Sequence, residues 1–167
     1  MTHYYTMMDC PVGSLFIQGD GHAVTGLYLP RHKHWSGPDP SLRQANEHFG
    51  VVREQLAEYF AGARQNFDVP VKLAGTPFQQ RVWEELAKIP FGTTISYAQL
   101  AVRVGKPTAV RAVGAANGRN PVSILVPCHR VVGANGKLTG YAGGMAKKEW
   151  LLAWERQGAQ KRQPGLA

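Results

Sequence analysis

The residues best suited to chemistry in this sequence are a cysteine and a histidine in the run Pro127-Cys128-His129-Arg130. A thiol attacks carbon only as the thiolate, so a reactive cysteine needs a neighbour that accepts its proton or stabilises its charge. His129 can accept the proton, and Arg130 adds positive charge. Adjacent residues of a regular strand point to opposite faces, whereas a turn after Pro127 brings both side chains towards one pocket. The run indicates a nucleophilic thiol, although a Cys-His pair alone is weak evidence.

Other side chains that could bind a metal do not form a complete site. Cys10 and Cys128 lie too far apart in sequence for a local metal or redox motif. Cys10 ends a predicted strand and is expected to be a small buried hydrophobe. His32 and His34 could bind a metal, but no third ligand lies nearby. We therefore predict no metal site.

The first half of the chain predicts a small α/β domain over residues 1–70, followed by a linker over 71–76. Apolar and aromatic runs separated by turn residues predict antiparallel strands over 3–8, 13–18 and 23–29. Residues 30–40 contain three prolines and predict a loop. Apolar residues at helical spacing predict a helix over 42–61, broken near Gly50 and capped by Gly62.

The second half predicts a mainly helical domain over residues 77–156. Thr76 can cap a helix that starts at Pro77, and Ser96 can cap a helix over 97–104. A break at 105–107 and a further helix over 108–118 match the helix-turn-helix pattern. The fold class is thus α+β, with a short antiparallel sheet first and a winged-helix-like domain second.

The elements around the Cys-His pair complete this prediction. The apolar run Ser123–Val126 predicts a short buried strand leading into it, and Asn135-Gly136 predicts a hairpin. A last helix is predicted over 145–155. The polar tail 157–167 is expected to be disordered.

Charge divides the chain in the same place. Residues 1–70 hold five Lys/Arg and seven Asp/Glu, a net of −2, whereas residues 71–167 hold fourteen and four, a net of +10. Such asymmetry favours a polyanionic partner for the basic half. No apolar run approaches the ~18 residues of a membrane span, and no secretory signal is evident at the start. We expect a cytoplasmic, nucleoid-associated protein.

A set of sequence blocks in the basic half resembles the O6-alkylguanine-DNA alkyltransferases. They occupy nearly all of residues 76–155 in the family's order, whereas residues 1–70 resemble the family only in length and strand-then-helix layout. The blocks are Phe78-Gln79-Gln80-Arg81-Val82-Trp83, Ile89-Pro90-Phe91-Gly92-Thr93-Thr94, Ser96-Tyr97, Arg111-Ala112-Val113-Gly114, Asn120-Pro121, Pro127-Cys128-His129-Arg130-Val131, Gly140-Tyr141-Ala142-Gly143-Gly144 and Lys148-Glu149-Trp150-Leu151-Leu152.

The resemblance implies a DNA-repair enzyme that moves an alkyl group from O6 of guanine, and less readily O4 of thymine, in duplex DNA to Cys128. It implies no cofactor and a stable S-alkylcysteine, so each molecule reacts once. The residues agree with this, because a thioether is a poor leaving group and no second cysteine or metal cluster is placed to remove the alkyl group. We expect a monomer and leave cooperative binding along DNA open.

The resemblance also implies roles for single residues. His129 would accept the Cys128 proton through a water molecule, and Glu155 would orient and polarise that histidine. Tyr97 would stabilise the leaving guanine and press on its phosphate, and Asn120 would support the active-site turn.

The remaining implied residues contact DNA. Arg111 would enter the base stack in place of the flipped nucleotide, whose extrusion costs a few kcal/mol. The helix carrying it would lie in the minor groove, so binding should depend weakly on sequence and strongly on salt. Close approach would involve Ala112, Gly114 and Ala115, and the base pocket would be formed by Val131, Tyr141, Ala142 and Gly143.

Two other classes of function stay open at this point. A non-catalytic damage sensor or DNA-binding regulator would share the helix-turn-helix, but such sensors lack the acceptor cysteine that Cys128 supplies here. A cysteine hydrolase would use Cys128 and His129 and would turn over, but it would not explain the charge asymmetry.

Overall fold

The computed structural model describes residues 2–161, and its first elements form a four-stranded sheet. Strands β1 (Tyr4–Cys10), β2 (Gly13–Gly19) and β3 (Val24–Tyr28) pair as an antiparallel meander. The two-residue strand β4 (Arg43–Gln44) pairs in parallel with β1, giving the order β3-β2-β1-β4. The predicted strands are confirmed within about two residues, and the α+β class is confirmed.

Helix α1 (Gly50–Phe60) follows a short 3-10 turn over Asn46–Phe49. The predicted helix over 42–61 was therefore too long at its start, because residues 43 and 44 pair with β1 instead. The stripe Val52, Leu56 and Tyr59 is buried, as the apolar spacing requires. These side chains belong to a core that continues without interruption into the second half of the chain.

Four helices follow in the second half: α2 (Pro77–Leu86), α3 (Tyr97–Val104), α4 (Val110–Gly118) and α5 (Met145–Lys161). Thr76 and Ser96 cap α2 and α3 through complete capping boxes, as their positions in the sequence predict. Gly105 ends α3 at a φ of 83°, a conformation that favours glycine. Helices α3 and α4 pack on each other and form the predicted helix-turn-helix, and both also pack on α2.

The predicted strand over Ser123–Val126 is wrong. The chain turns there, with Ile124 at a positive φ of 72°, and only single bridges tie the turn to its neighbours. The Leu27 N–H donates to the Pro121 carbonyl, and the Ser123 N–H donates to the Leu27 carbonyl. An apolar run reports burial and not extension, and this one is buried in a turn.

The turn at Asn135-Gly136 is present, but no hairpin ladder follows it. Both residues have positive φ, 62° and 75°, as a type I′ turn requires. The strand before it, β6 (Val131–Val132), pairs in parallel with β5 (Ile95–Ser96) and not with the chain after the turn. The helix-turn-helix therefore lies in sequence between two strands, β5 and β6, that pair with each other.

The last helix is longer than predicted. It runs to Lys161, so the expected disorder is wrong for residues 157–161, and residues 162–167 lie outside the described part of the chain. Tight packing explains the extension, because Gly158 lies against the Phe91 ring and Ala159 against Gly92. In the described residues, none of the helices is long and apolar enough to cross a membrane.

We predict that Ser96→Ala lowers the free energy of unfolding by about 1 kcal/mol, because α3 loses the side chain that accepts from the Gln99 N–H. Urea unfolding followed by circular dichroism measures the change. The exposed Ser36→Ala, which removes the same hydroxyl from a loop, serves as the control and should change stability little. Equal losses in both variants would contradict the capping role.

Candidate active site

Cys128 begins a one-turn 3-10 helix, Cys128–Arg130, directly after Pro127. Its side chain is only 3% exposed, yet it lines a cavity of about 400 Å³. That volume falls within the range of small-molecule sites. The cavity is lined by Lys33, His34, Tyr97, Gly114, Ala115, Asn117, Gly118, Cys128, Gly140, Tyr141 and Ala142.

Behind Cys128 a buried carboxylate, Glu155 of α5, receives hydrogen bonds from three side chains. His129 Nε2 lies 2.8 Å from Glu155 Oε2. Arg130 donates from Nε to Oε1 at 2.7 Å and from Nη2 to Oε2 at 2.9 Å. The Tyr59 hydroxyl of α1 donates to Oε2 at 2.8 Å. Arg130 also donates to the Ile89 carbonyl, so its position is set from two sides.

The charge of Glu155 sets the tautomer of the neutral imidazole of His129. Burial alone would raise the pKa of Glu155, but His129 and Arg130 outweigh it and hold the pKa well below its usual range. A carboxylate only accepts, so His129 must carry its proton on Nε2 to donate to it. Nδ1 is then the basic nitrogen, and it has no hydrogen-bond partner among the described residues. Cys128 and His129 thus share the turn without a direct hydrogen bond in residues 2–161.

The buried environment of Cys128 disfavours the negatively charged thiolate form of its side chain. Burial raises its pKa, while hydrogen bonding from Asn120 and the nearby charge of Lys148 oppose the rise. Lys148 is fully buried and donates to the Val131 carbonyl at 2.7 Å and the Thr139 carbonyl at 3.3 Å. The thiol therefore keeps its proton at neutral pH until a base removes it.

Asn120 holds the turn that precedes Cys128. Its side-chain amide donates to the Val126 carbonyl at 2.8 Å, and its side-chain carbonyl accepts from the Val122 N–H at 3.0 Å. These side-chain hydrogen bonds take the place of the backbone hydrogen bonds that a paired strand would have made. They account for the irregular path of the chain and set the backbone of Cys128.

Helix α4 forms one wall of the cavity. Gly114 and Ala115 face into it, whereas Arg111 and Ala112 are exposed on the outer part of the same helix. The Tyr97 ring lies beside Gly114, and its hydroxyl accepts from Thr139 Oγ1 at 3.3 Å. Helix α4 thus lies beside the cavity that contains the Cys128 thiol and carries the exposed Arg111 on its outer part.

Two family models match the chain, the ribonuclease-like domain of 6-O-methylguanine DNA methyltransferase over residues 3–73 and its DNA binding domain over residues 77–157. The chain is also 48% identical over 165 residues to the methylated-DNA–protein-cysteine methyltransferase of Mycobacterium tuberculosis (strain ATCC 25618 / H37Rv), with 95% of each chain covered. It belongs to the 6-O-methylguanine DNA methyltransferase family. The family suggested by the sequence blocks is thereby confirmed.

Further members of the methyltransferase family agree with this assignment. The constitutive enzyme of Bacillus subtilis is 46% identical over 160 residues, covering 92% of this chain and 96% of its own. A crystal structure of Mycobacterium tuberculosis OGT in complex with DNA has a TM-score of 0.88 and 44% identity. The match covers 93% of this chain and 94% of the chain in that structure.

The base-pocket residues that the family resemblance implies fall into two groups. Tyr141 and Ala142 line the cavity. Gly143 is buried behind them, where a Cβ would meet the Tyr141 and Leu29 side chains at 2.8 and 3.2 Å. Val131 is fully buried in β6 and is not among the residues that line the cavity; its backbone pairs with Ile95 and its carbonyl accepts from Lys148. A part for Val131 in the base pocket stays a prediction.

Several site residues were missed by sequence reasoning. Tyr59 lies 96 positions before Glu155, so no local pattern could connect them. Lys33 and His34 lie in a loop that was considered only for metal binding. Lys148 was part of a recognised block but had no assigned role. Among the described residues, no group of three His, Cys, Asp or Glu side chains is placed to hold a metal.

We predict that Tyr59→Phe lowers the free energy of unfolding by about 2 kcal/mol, because a buried hydrogen bond to a charged acceptor is lost without changing the ring. A double-mutant cycle with Glu155→Gln should give a coupling energy of about 0.5–3 kcal/mol. Urea unfolding measures both values. Tyr4→Phe, a half-buried tyrosine outside this network, is the control and should show no coupling to Glu155→Gln.

Proposed function

We propose that this protein repairs alkylated DNA by transferring an alkyl group from O6 of guanine, and less readily O4 of thymine, to Cys128 in one irreversible step. The observation that carries the proposal is a thiol at the base of a cavity, with a histidine–carboxylate pair behind it and α4 beside it. DNA is the partner, as the net charge of +10 over residues 71–167 supports. From such a substrate we infer association with the nucleoid.

The chemistry starts with removal of the thiol proton. A bridging water passes it from Cys128 to Nδ1 of His129, and Glu155 stabilises the imidazolium that results. Lys148, which shares a buried region with the thiol, offsets the charge of the thiolate. The base is already oriented before the substrate binds, because Arg130 and Tyr59 hold Glu155 in place.

The thiolate then attacks the alkyl carbon in line with the bond to O6. The sulfur–carbon bond forms, the carbon–oxygen bond breaks, and its electron pair passes to the guanine ring. Tyr97, on the cavity wall, donates a hydrogen bond to the guanine as negative charge develops on it. The guanine takes up one proton, which balances the proton lost by Cys128, and stays in its nucleotide as the neutral, repaired base. The product is a thioether, and no group of the described site can cleave it.

The target atom lies inside the duplex, so the nucleotide must leave the stack before it can reach Cys128. Helix α4 supports this step because its small residues permit close approach to the minor groove and Arg111 is exposed at its start. Arg111 fills the space that the extruded base leaves. Ala112, Gly114 and Ala115 face the DNA or the extruded nucleotide.

We predict that incubation with duplex DNA containing O6-methylguanine adds the mass of one methyl group, in place of one hydrogen, to the intact protein. Cys128→Ala should gain nothing, and Cys10→Ala should gain the methyl group as the unmodified chain does, because Cys10 lies outside the cavity. Intact-mass spectrometry measures both. Binding without a mass change would favour a damage sensor, and repeated turnover would favour a hydrolase.

We also predict that Arg111→Ala slows repair of duplex DNA more than it slows transfer from a free O6-alkylguanine base, because only the duplex requires extrusion of a nucleotide. Single-turnover rates on both substrates give the ratio. Arg43→Ala removes an exposed arginine from β4, away from the cavity, and should leave the ratio unchanged. An equal loss on both substrates in Arg111→Ala would contradict the extrusion role.

A further inference from the structure

A loop from the first half of the chain reaches the mouth of the Cys128 cavity. Lys33 and His34 line the cavity together with residues of α4 and of the 140–142 segment. The Lys33 N–H donates to the Ala142 carbonyl at 2.7 Å, and Lys147 Nζ of α5 donates to the Pro30 carbonyl at 3.1 Å. The loop over residues 30–37, here called the rim loop, is therefore tied directly to the second half.

The rim loop is also fixed to the sheet beneath it. The Trp35 ring stacks on Tyr28 with centroids 4.6 Å apart and an interplanar angle of 3°, and it packs on Phe16 at 5.2 Å. His32 is only 5% exposed and meets Tyr28 edge-on at 5.3 Å. These contacts on both flanks hold Lys33 and His34 at one place.

The backbone of the rim loop is held in an uncommon conformation. Arg31 and His34 have positive φ values of 58° and 65°, which non-glycine residues adopt only at an energetic cost. Such conformations persist only where the surroundings determine them, and they cluster at functional sites. A loop that only connected β3 to β4 would have no need of them.

The charge of the rim loop is opposite to that of the half to which it belongs. Residues 1–70 carry five cations and a net charge of −2, and Arg31 and Lys33 are two of those five. Lys33 is exposed, as is Arg119, which directly follows Gly118, the last residue of α4 and part of the cavity lining. Neither cation forms an ion pair within residues 2–161. Together they form a basic rim at the cavity mouth.

We propose that Lys33 and Arg119 bind the phosphodiester backbone next to the extruded nucleotide, so that the first half of the chain takes part directly in DNA recognition. This inference rests on the proposed function. His34, which lines the cavity beside Lys33, offers a ring nitrogen to the same backbone. The backbone N–H of Lys33 donates to the Ala142 carbonyl, so the part of the rim loop that carries the Lys33 charge is fixed in place before DNA binds.

The salt dependence of DNA binding tests this proposal. In a Cys128→Ala background, which cannot react, the affinity for duplex DNA containing O6-methylguanine is measured by fluorescence anisotropy over a range of salt. Each lost phosphate contact should reduce the slope of log K against log salt by about 0.9. Lys33→Ala and Arg119→Ala should each do so, and the double variant should lose about 1.8. Lys33→Arg should retain the original slope.

Lys72→Ala is the matched control, because it removes an exposed lysine that does not line the cavity and should leave the slope unaltered. A normal slope in Lys33→Ala would overturn the phosphate contact. The proposal would also be overturned if Lys33→Ala, with Cys128 retained, slowed alkyl transfer equally from duplex DNA and from a free O6-alkylguanine base. That result would mean that the rim loop has a purely structural role. If the unmodified chain accepts no alkyl group from either substrate, the proposed function itself fails.

Discussion

A buried negative charge at Glu155 holds the whole site together. Transfer of a carboxylate out of water costs several kcal/mol, and only good geometry with further hydrogen bonds offsets that cost. Here the hydrogen bonds come from three side chains on two elements: Tyr59 of α1, and His129 and Arg130 of the 3-10 turn, all of which reach Glu155 on α5. His129 and Arg130 bind Glu155 within the second half of the chain, and Tyr59 adds a donor from the first half. The packing of the two halves therefore contributes directly to the environment of this carboxylate.

The same burial keeps the thiol unreactive until it is needed. A surface thiolate would be open to oxidation and to any electrophile, whereas burial raises the pKa of Cys128 and leaves the proton on sulfur. The proposed base, His129, hydrogen-bonds to Glu155 but makes no direct bond to the sulfur in residues 2–161. For a protein that uses its nucleophile once, this separation of orientation from deprotonation conserves the single available reaction.

Local signals in the sequence predicted the elements whose causes are local. Capping boxes at Thr76 and Ser96 depend on residues three positions apart, and the strands of the first half follow from short apolar runs and turn residues. The turn before Cys128 could not be predicted this way, because Asn120 replaces a strand ladder with side-chain bonds to the Val122 and Val126 backbone. Tyr59 was out of reach for a similar reason, since its partner lies 96 positions away. The family blocks contain Cys128 and His129, and the family resemblance adds Glu155, which hydrogen-bonds to His129 in the structure.

The first half of the chain would be expected to act as a scaffold, since it is net negative and carries none of the family blocks. Two contacts argue for a larger part. Tyr59 places a proton donor on the carboxylate that orients the base, and the rim loop places Lys33 beside the cavity through a bond to Ala142. Both contacts cross from one half to the other, one behind the thiol and one in front of it. A change in how the halves pack would thus alter the base and the cavity mouth together. The division of the sequence by charge consequently does not correspond to a division of labour, because the site is assembled from both sides.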